Sequence, residues 1–258
     1  MKEKLKRFII ISIVLIFLII ISFICYINYM KNSDSTIGDI AYDRNRFVNN
    51  IVYLKENEKY VPYIVVTNNY NGNTLLLRKE CLEKSMYISN NNSSYYENCL
   101  IDTYLNNDYL ERFSESFKEK VVNTNIEIIS KESIGICGTE TTTITRKAFL
   151  LSLAELGVDT LYKEGKNLKY FNNIENRLAN DSLKQNNVSY WLRTADAYTS
   201  STTYVITGNN QITSTNSSDV WGGVEILYVR PALCIKSDTK IEGNQFIVKG
   251  REVYVVSE

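Results

Sequence analysis

The chain of 258 residues contains no histidine. Histidine is the side chain whose ordinary pKa lies nearest neutrality, and it is the commonest protein ligand of transition metals. Its absence excludes Ser-His-Asp and Cys-His catalysis, a histidine general base and a histidine metal site. An enzyme built on this chain would therefore depend on aspartate and glutamate.

Cysteine is scarce, and no two cysteines stand in a C-x-x-C pair. Cys25 lies in an apolar run, and the other four are scattered: Cys81, Cys99, Cys137 and Cys234. This spacing disfavours zinc and iron–sulfur ligation, so we expect no metal and no cofactor. The four could form disulfides in several connectivities, but we favour four small, buried, unpaired side chains.

The chain also lacks an excess of either charge, with 29 basic and 29 acidic residues. The first seven residues contain four basic side chains and one acidic one, which leaves the remainder mildly acidic. Nucleic-acid-binding domains usually carry a basic face. We therefore expect no nucleic-acid partner.

Residues 8–27, FIIISIVLIFLIIISFICYI, carry no charge. A helix of that length spans about 30 Å, the thickness of a bilayer's hydrocarbon core. The pattern predicts a transmembrane anchor after a basic tail at residues 1–7, with a linker at residues 28–45. A cleaved signal peptide is the alternative, but no small-x-small site follows the run. The basic tail then predicts a single-pass protein of the cell membrane, with a cytoplasmic N-terminus and an extracytoplasmic domain at residues 46–258.

The domain predicted at residues 46–258 alternates short strands with a few helices, which indicates the α+β class. Hairpins are predicted at residues 59–80, 202–215 and 244–257, where turn residues separate β-rich runs. The main helical region is predicted at residues 95–123, as two helices with apolar residues at three-and-four spacing, a break at residues 106–108 and Ser116 as the candidate start of the second helix. Residues 147–157 are predicted to pass from a buried strand into a short helix, or to form one continuous helix.

Two apolar runs, SYWLRTAD at residues 189–196 and LYVRPALCI at 227–235, bracket a very polar segment. Arg193 and Arg230 lie inside these runs, and a buried guanidinium needs partners for its five donors. We expect both arginines to be structural and to hold the polar loop 195–225 against the sheet. Trp191 would contribute core area, and Pro231 would place its strand at an edge or a bulge.

The loop 195–225 is rich in Ser, Thr, Asn and Tyr, a composition that suits binding by ring stacking and adaptable hydrogen bonds. It is equally compatible with a solvated hairpin. The candidate ligand-binding residues are Tyr198, Tyr204, Asn209 and Trp221.

The runs NTLLLRKE, KAFLLSLAEL, YWLRT, VITGNNQI and VRPAL occur here in that order. The set resembles a domain of unknown function found in surface proteins of low-GC Gram-positive bacteria, over residues 60–235. The family's W-L-R-S and V-R-P-A-L strands are the most specific part, although Thr194 replaces the serine and Tyr104 replaces a helix tryptophan. The closing strand is also similar to that of formylglycine-generating-enzyme and C-type-lectin-like folds, which implies a ligand-binding scaffold without transferable catalytic residues.

These observations predict a membrane-anchored, extracytoplasmic binding module, without catalysis, for a glycan or a protein. The alternative is a cell-envelope hydrolase that uses Asp and Glu carboxylates. A cleft with two carboxyl groups about 5–10 Å apart would favour that alternative.

Overall fold

The computed structural model describes residues 14–23, 35–45, 49–83, 85–89, 92–183, 186–218, 226–248 and 251–256. The chain divides into two units, residues 1–35 and residues 36–258. In the first unit, residues 14–23 are helical. The second unit contains the sheets and the core.

No helix among the described residues has the length and apolar character needed to cross a membrane. For the part of the chain that the structure describes, the predicted transmembrane helix is wrong, and so is the single-pass localisation inferred from it. The other residues of the predicted anchor, 8–13 and 24–27, lie outside the described residues.

The structure is mostly sheet, with 37% strand against 17% helix over both units, so the predicted α+β class is wrong. Its early strands are β1 Ile51–Glu56, β2 Lys59–Tyr70, β3 Asn73–Arg78, β4 Glu80–Cys81, β5 Thr124–Ile129, β6 Thr141–Arg146, β7 Ala148–Phe149 and β8 Asn180–Asp181. Its later strands are β9 Ser189–Ala195, β10 Thr202–Ile206, β11 Ile212–Asn216, β12 Leu227–Tyr228, β13 Ala232–Ile235, β14 Ile241–Val248 and β15 Arg251–Val256.

Helix is limited to short pieces in the described part of this domain. The two α-helices are α1 Leu100–Asn106 and α2 Glu115–Lys118. The 3-10 turns are Ile37–Ile40, Leu110–Arg112, Lys169–Asn172 and Ile174–Arg177. The break predicted at residues 106–108 is confirmed, because α1 ends at Asn106. The second helix begins at Glu115 with Ser114 as its N-cap, and not with the predicted Ser116, because the Ser114 hydroxyl accepts the Phe117 N–H.

The larger sheet has seven strands in the order β14-β15-β1-β2-β3-β13-β7, and β1 and β15 run parallel. A second sheet of four strands has the order β11-β10-β9-β12. All seven residues of β9 are buried, as expected of a strand covered on both faces. The pairs β4-β8 and β5-β6 complete the described sheets.

The predicted hairpins are present, because their turns are encoded locally. Asn71 and Gly72 have φ of 52° and 83° between the paired residues Tyr70 and Asn73. These positive angles are what a two-residue turn between antiparallel strands requires. The hairpins β10-β11 and β14-β15 also form where the sequence predicts them.

Pro231 lies where the chain passes from one sheet to the other, between β12 and β13. The strand that follows, β13, pairs with β3 on one side and β7 on the other. The prediction that Pro231 marks an edge or a bulge is therefore wrong. Proline is tolerated here because it precedes the first residue of the strand, where no backbone N–H is needed for hydrogen bonding to a neighbouring strand.

Residues 36–45, which the sequence assigned to the linker, pack against the domain. The 3-10 turn Ile37–Ile40 buries Ile37 and Ile40, and Ile37 donates its N–H to the Thr239 carbonyl at 2.8 Å. Asn50 reinforces this segment with a side-chain hydrogen bond to the Ile40 carbonyl. The compact unit accordingly begins at Thr36.

Candidate functional site

Arg193 is fully buried in β9, and all five of its donors are satisfied. Two nitrogens form a bidentate ion pair with Glu155, at 2.7 and 2.8 Å. The remaining bonds go to the backbone carbonyls of Glu127, Leu150 and Glu164. Burial opposes the charge of Arg193, but Glu155 raises its pKa above the ordinary value. The arginine therefore connects three separate chain segments to the middle of the second sheet.

Glu155 reaches Arg193 from a one-turn bend after β7. The Ser152 N–H donates to the Glu155 carboxylate at 2.9 Å, and the Glu155 N–H donates to the Ser152 hydroxyl at 3.2 Å. This is the reciprocal pairing of a capping box, as the spacing predicted. The predicted helix does not continue, because Gly157 adopts a φ of +72° and reverses the chain.

Arg230 is also buried, but its partners among the described residues are neutral. It donates to the carbonyls of Arg78, Lys79 and Arg177, and to the Tyr190 hydroxyl. Both arginines were expected to hold the loop 195–225, and that expectation is wrong. The carbonyls that satisfy them come from other segments that approach the sheet.

A third buried arginine, Arg78, was missed from the sequence. It forms an ion pair with Glu56 at 2.9 Å and a weaker one with Glu83 at 3.2 Å, and it donates to the carbonyls of Glu80 and Cys81. Its position at the end of the apolar run TLLLR is the same signal that identified Arg193. The run therefore contained enough information to predict this residue.

Glu56 and Glu83 are two carboxylates brought together at one place, which bears on the hydrolase alternative. Arg112 contacts both, at 3.4 and 3.0 Å, and lines a cleft of about 320 Å³ with Lys55, Glu58 and Phe113. Burial alone would raise the pKa of Glu83, but hydrogen bonds and the two arginines lower it overall. A carboxyl group that is ionised and paired is unsuited to act as a general acid.

A second cluster lies on the surface and includes two of the predicted ligand residues. Three loops meet at Ala197, whose carbonyl accepts the N–H groups of Gly135 and Cys137 at 3.0 and 3.1 Å. Tyr162, from the third loop, packs in one small buried cluster with Ala195 and Ala197. We name this surface the tyrosine patch and define it by five residues: Ile136, Leu161, Tyr162, Tyr198 and Tyr204.

Three of the five residues of the tyrosine patch are largely exposed, whereas Tyr162 is buried and Tyr204 is half-buried. Ile136 is 74% exposed, Tyr198 70% and Leu161 65%, whereas most large apolar side chains of this domain are buried. The three tyrosines are close enough to interact. Burial and Tyr204 help to raise the pKa of Tyr162 to about 12, and Tyr198 contributes to a raised pKa of Tyr204 after burial and Asp196.

Asp196 fixes the loop that presents Tyr198. Its carboxylate accepts the Tyr198 N–H at 3.1 Å, the Thr202 hydroxyl at 3.1 Å and the Ser214 hydroxyl at 2.9 Å. These bonds connect the loop to both strands of the β10-β11 hairpin. The Asp196 carboxylate therefore stabilises the loop and has few lone pairs left to accept hydrogen bonds from a ligand.

The other predicted ligand residues are not part of the tyrosine patch. Asn209 is exposed at the tip of the β10-β11 hairpin, at the opposite end from Asp196. Trp221 lies outside the described residues. Ile136, Leu161 and Tyr162 were missed from the sequence, although Ile136 stands as an isolated apolar residue in the glycine-flanked stretch GICG, which is a usable signal for exposure.

The burial of the cysteines differs from the prediction at one position, Cys137. The described cysteines are unpaired, and Cys81, Cys99 and Cys234 are buried. Cys137 is exposed beside the tyrosine patch, so the prediction of four buried side chains is wrong there. No group of three metal-ligating side chains is found in the described part of the chain.

Comparison with known proteins identifies the family but no individual relative. The profile of the domain of unknown function DUF6273 matches residues 71–237, which include the Arg78, Arg193 and Arg230 centres and the whole tyrosine patch. No curated protein and no solved structure matches the chain. Because the match spans more than half of the chain, this protein belongs to the DUF6273 family.

Proposed function

We propose that this protein is a non-catalytic binding module and that the tyrosine patch is its ligand-binding surface. The observation that carries the proposal is that three loops meet at Ala197, and that each exposes a large side chain next to the contact: Ile136, Leu161 and Tyr198. A soluble domain rarely exposes such a cluster unless it contacts a partner. The resemblance of the W-L-R and V-R-P-A-L strands to bacterial surface proteins and lectin-like scaffolds also supports binding over catalysis.

A protein ligand fits this surface best. Ile136 and Leu161 offer no hydrogen bonds, and tyrosines among aliphatic side chains are the composition of protein interfaces. A glycan is the second candidate, because exposed tyrosine rings can stack on sugars. The carboxylate nearest the rings, Asp196, already accepts three hydrogen bonds from the protein, which favours the protein ligand.

The test compares the full chain with three variants on a glycan array and on an array of extracellular-protein peptides. Tyr198→Ala and Ile136→Ala should weaken binding at least about tenfold, the effect of losing one interface anchor. Ile174→Ala is the matched control, because Ile174 is 55% exposed and its carbonyl binds Asn210 at the distant hairpin tip. Binding that survives both patch changes would refute the proposal, and loss of glycan binding alone would favour the second candidate.

A further inference from the structure

Beneath the tyrosine patch, two buried carboxyl groups share one cation. Glu155, Glu164 and Arg193 are each essentially inaccessible to solvent. Glu155 occupies two nitrogens of the guanidinium, while Glu164 binds it through its backbone carbonyl at 3.0 Å. If both glutamates were ionised, the enclosed cluster would carry a net negative charge, which is costly in a buried setting.

The carboxyl group of Glu164 has too few donors for its ionised form. One oxygen accepts the Ile129 N–H at 3.0 Å, and the other has no hydrogen-bond partner among the described residues. Burial raises the pKa of Glu164 to about 7, although Arg193, Thr194 and the Ile129 N–H each lower it. Glu164 therefore changes its protonation state at a much higher pH than an exposed glutamate does.

Among the described residues packed around Glu164, Arg193 is not joined by a second buried cation. Strand β9 contributes Arg193 and Thr194, and the bend after β7 contributes Glu155 and Ser152. Strand β5 contributes Glu127, which accepts the Gly165 N–H at 2.8 Å, and β2 contributes Tyr70, which donates to Glu155. On the segment of Glu164 itself, the two lysines are exposed: Lys163 and Lys166.

The segment that carries Glu164 also carries part of the patch. Residues 159–165 contain no helix or strand, and they include Leu161 and Tyr162. The contacts of Glu164 with Ile129, Ser152 and Arg193 hold the segment to the core. The neighbouring residues Leu161 and Lys163 are already exposed, so a small local opening would bring Glu164 to solvent.

We propose that Glu164 is a proton-controlled latch: its neutral carboxyl group keeps segment 159–165 against the core, and its ionisation releases the segment. The consequence for ligand binding, a patch that is assembled at acidic pH and loosens as the pH rises towards neutrality, rests on the proposed function. The latch itself does not.

The direction in which pH shifts the opening equilibrium of segment 159–165 follows from the pKa of Glu164 in the closed and open states. The closed segment holds its proton up to about pH 7, whereas an open, solvated glutamate loses it near its ordinary value. Between these limits the opening equilibrium should rise about tenfold per pH unit, and it should level off above about pH 7. The chain contains no histidine, so no histidine titration overlaps this range.

Amide hydrogen exchange of the full chain, followed by NMR at pH 5 to 8 without ligand, tests the latch. The probes are the N–H groups of Ile129 and Gly165, which bond to Glu164 and Glu127. Their protection factors, corrected for intrinsic exchange, should fall about tenfold per pH unit up to about pH 7. The Arg78 N–H, which bonds to the Pro231 carbonyl, is the control and should not follow this course.

Glu164→Gln keeps a neutral side chain at every pH, so its protection factors should stay at the low-pH level. Unchanged protection in the wild-type chain, or the same fall in Glu164→Gln, would overturn the latch. If this variant does not fold, the wild type decides: a fall confined to Ile129 and Gly165 supports the latch, and a fall shared by Arg78 overturns it. Because no ligand is present, the latch and the binding proposal can fail separately.

Discussion

Replacing Arg193 by alanine is the sharpest test of how this domain is held together. The change leaves the Glu155 carboxylate fully buried, with the Ser152 N–H and the Tyr70 hydroxyl as its remaining donors. It also removes one hydrogen bond from each of three backbone carbonyls, although the Glu164 carbonyl still accepts the Ser152 hydroxyl. Breaking a buried ion pair in this way costs about 3–5 kcal/mol of unfolding free energy. A domain of ordinary stability has about 5–15 kcal/mol, so Arg193→Ala should lose a large fraction of it.

Urea denaturation measures the loss, with Arg44→Ala as the control. Arg44 pairs with Asp39 at 3.1 Å on the surface and is 56% exposed, so its removal should cost no more than about 1 kcal/mol. The double variant Arg193→Met with Glu155→Leu removes both charges at similar volume and should recover much of the stability. A loss below about 1 kcal/mol in Arg193→Ala would refute the view that this ion pair is a principal support of the domain.

Three further predictions follow from single contacts. In a Cys25→Ser chain, Cys137 should react fast with a thiol reagent and the further change Cys137→Ser should remove that phase, because burial raises the pKa of the thiols of Cys81, Cys99 and Cys234 to about 12. A melting temperature that drops on reduction would contradict the unpaired state of these cysteines. Gly138→Ala should lower the unfolding free energy by about 1–3 kcal/mol in thermal denaturation, because the new Cβ would lie 2.6 Å from the Ser133 Cα. An unchanged melting temperature would contradict this prediction and show that the loop can shift to accept the Cβ. The folded-state pKa of Glu164 is raised, so the stability that its protonated carboxyl group contributes is lost as the pH rises from about 4.5 to 7. Across that range the unfolding free energy of Glu164→Gln should rise by on the order of 3 kcal/mol relative to that of the wild type. Parallel curves of stability against pH for the two proteins would contradict this prediction.

Features encoded over a few residues could be predicted from the sequence. The turn at Asn71–Gly72 needs positive φ angles that these residues supply, and the Ser152–Glu155 capping box needs only a spacing of three. Apolar runs that contain arginine indicated buried guanidinium groups at Arg193 and Arg230. Their partners could not be predicted, because a backbone carbonyl is present at every residue and leaves no trace in the sequence.

Features that depend on distant segments were predicted poorly. Three-and-four spacing at residues 95–123 predicted two helices and the break after Asn106, but the helices are shorter than the spacing suggested: Leu100–Asn106 and Glu115–Lys118. The tyrosine patch depends on one carbonyl, that of Ala197, which brings Gly135 and Cys137 to the loop of Tyr198. Sequence reasoning found Tyr198 and Tyr204 because they share one hairpin, and it missed Ile136 and Leu161 because they lie on other loops.

The buried arginines explain how a domain with little helix covers its sheets. Arg78, Arg193 and Arg230 each stand at the end of an apolar run, and together they bind the carbonyls of irregular segments that elsewhere a helix would satisfy. Arg193 differs from the other two because its partner Glu164 belongs to the segment that carries Tyr162. A conservative change at Arg193 should therefore disturb the tyrosine patch as well as the fold, whereas a change at Arg78 that lowers stability equally should leave the patch intact. The core and the proposed binding surface are thus joined through one guanidinium group and the proton on Glu164.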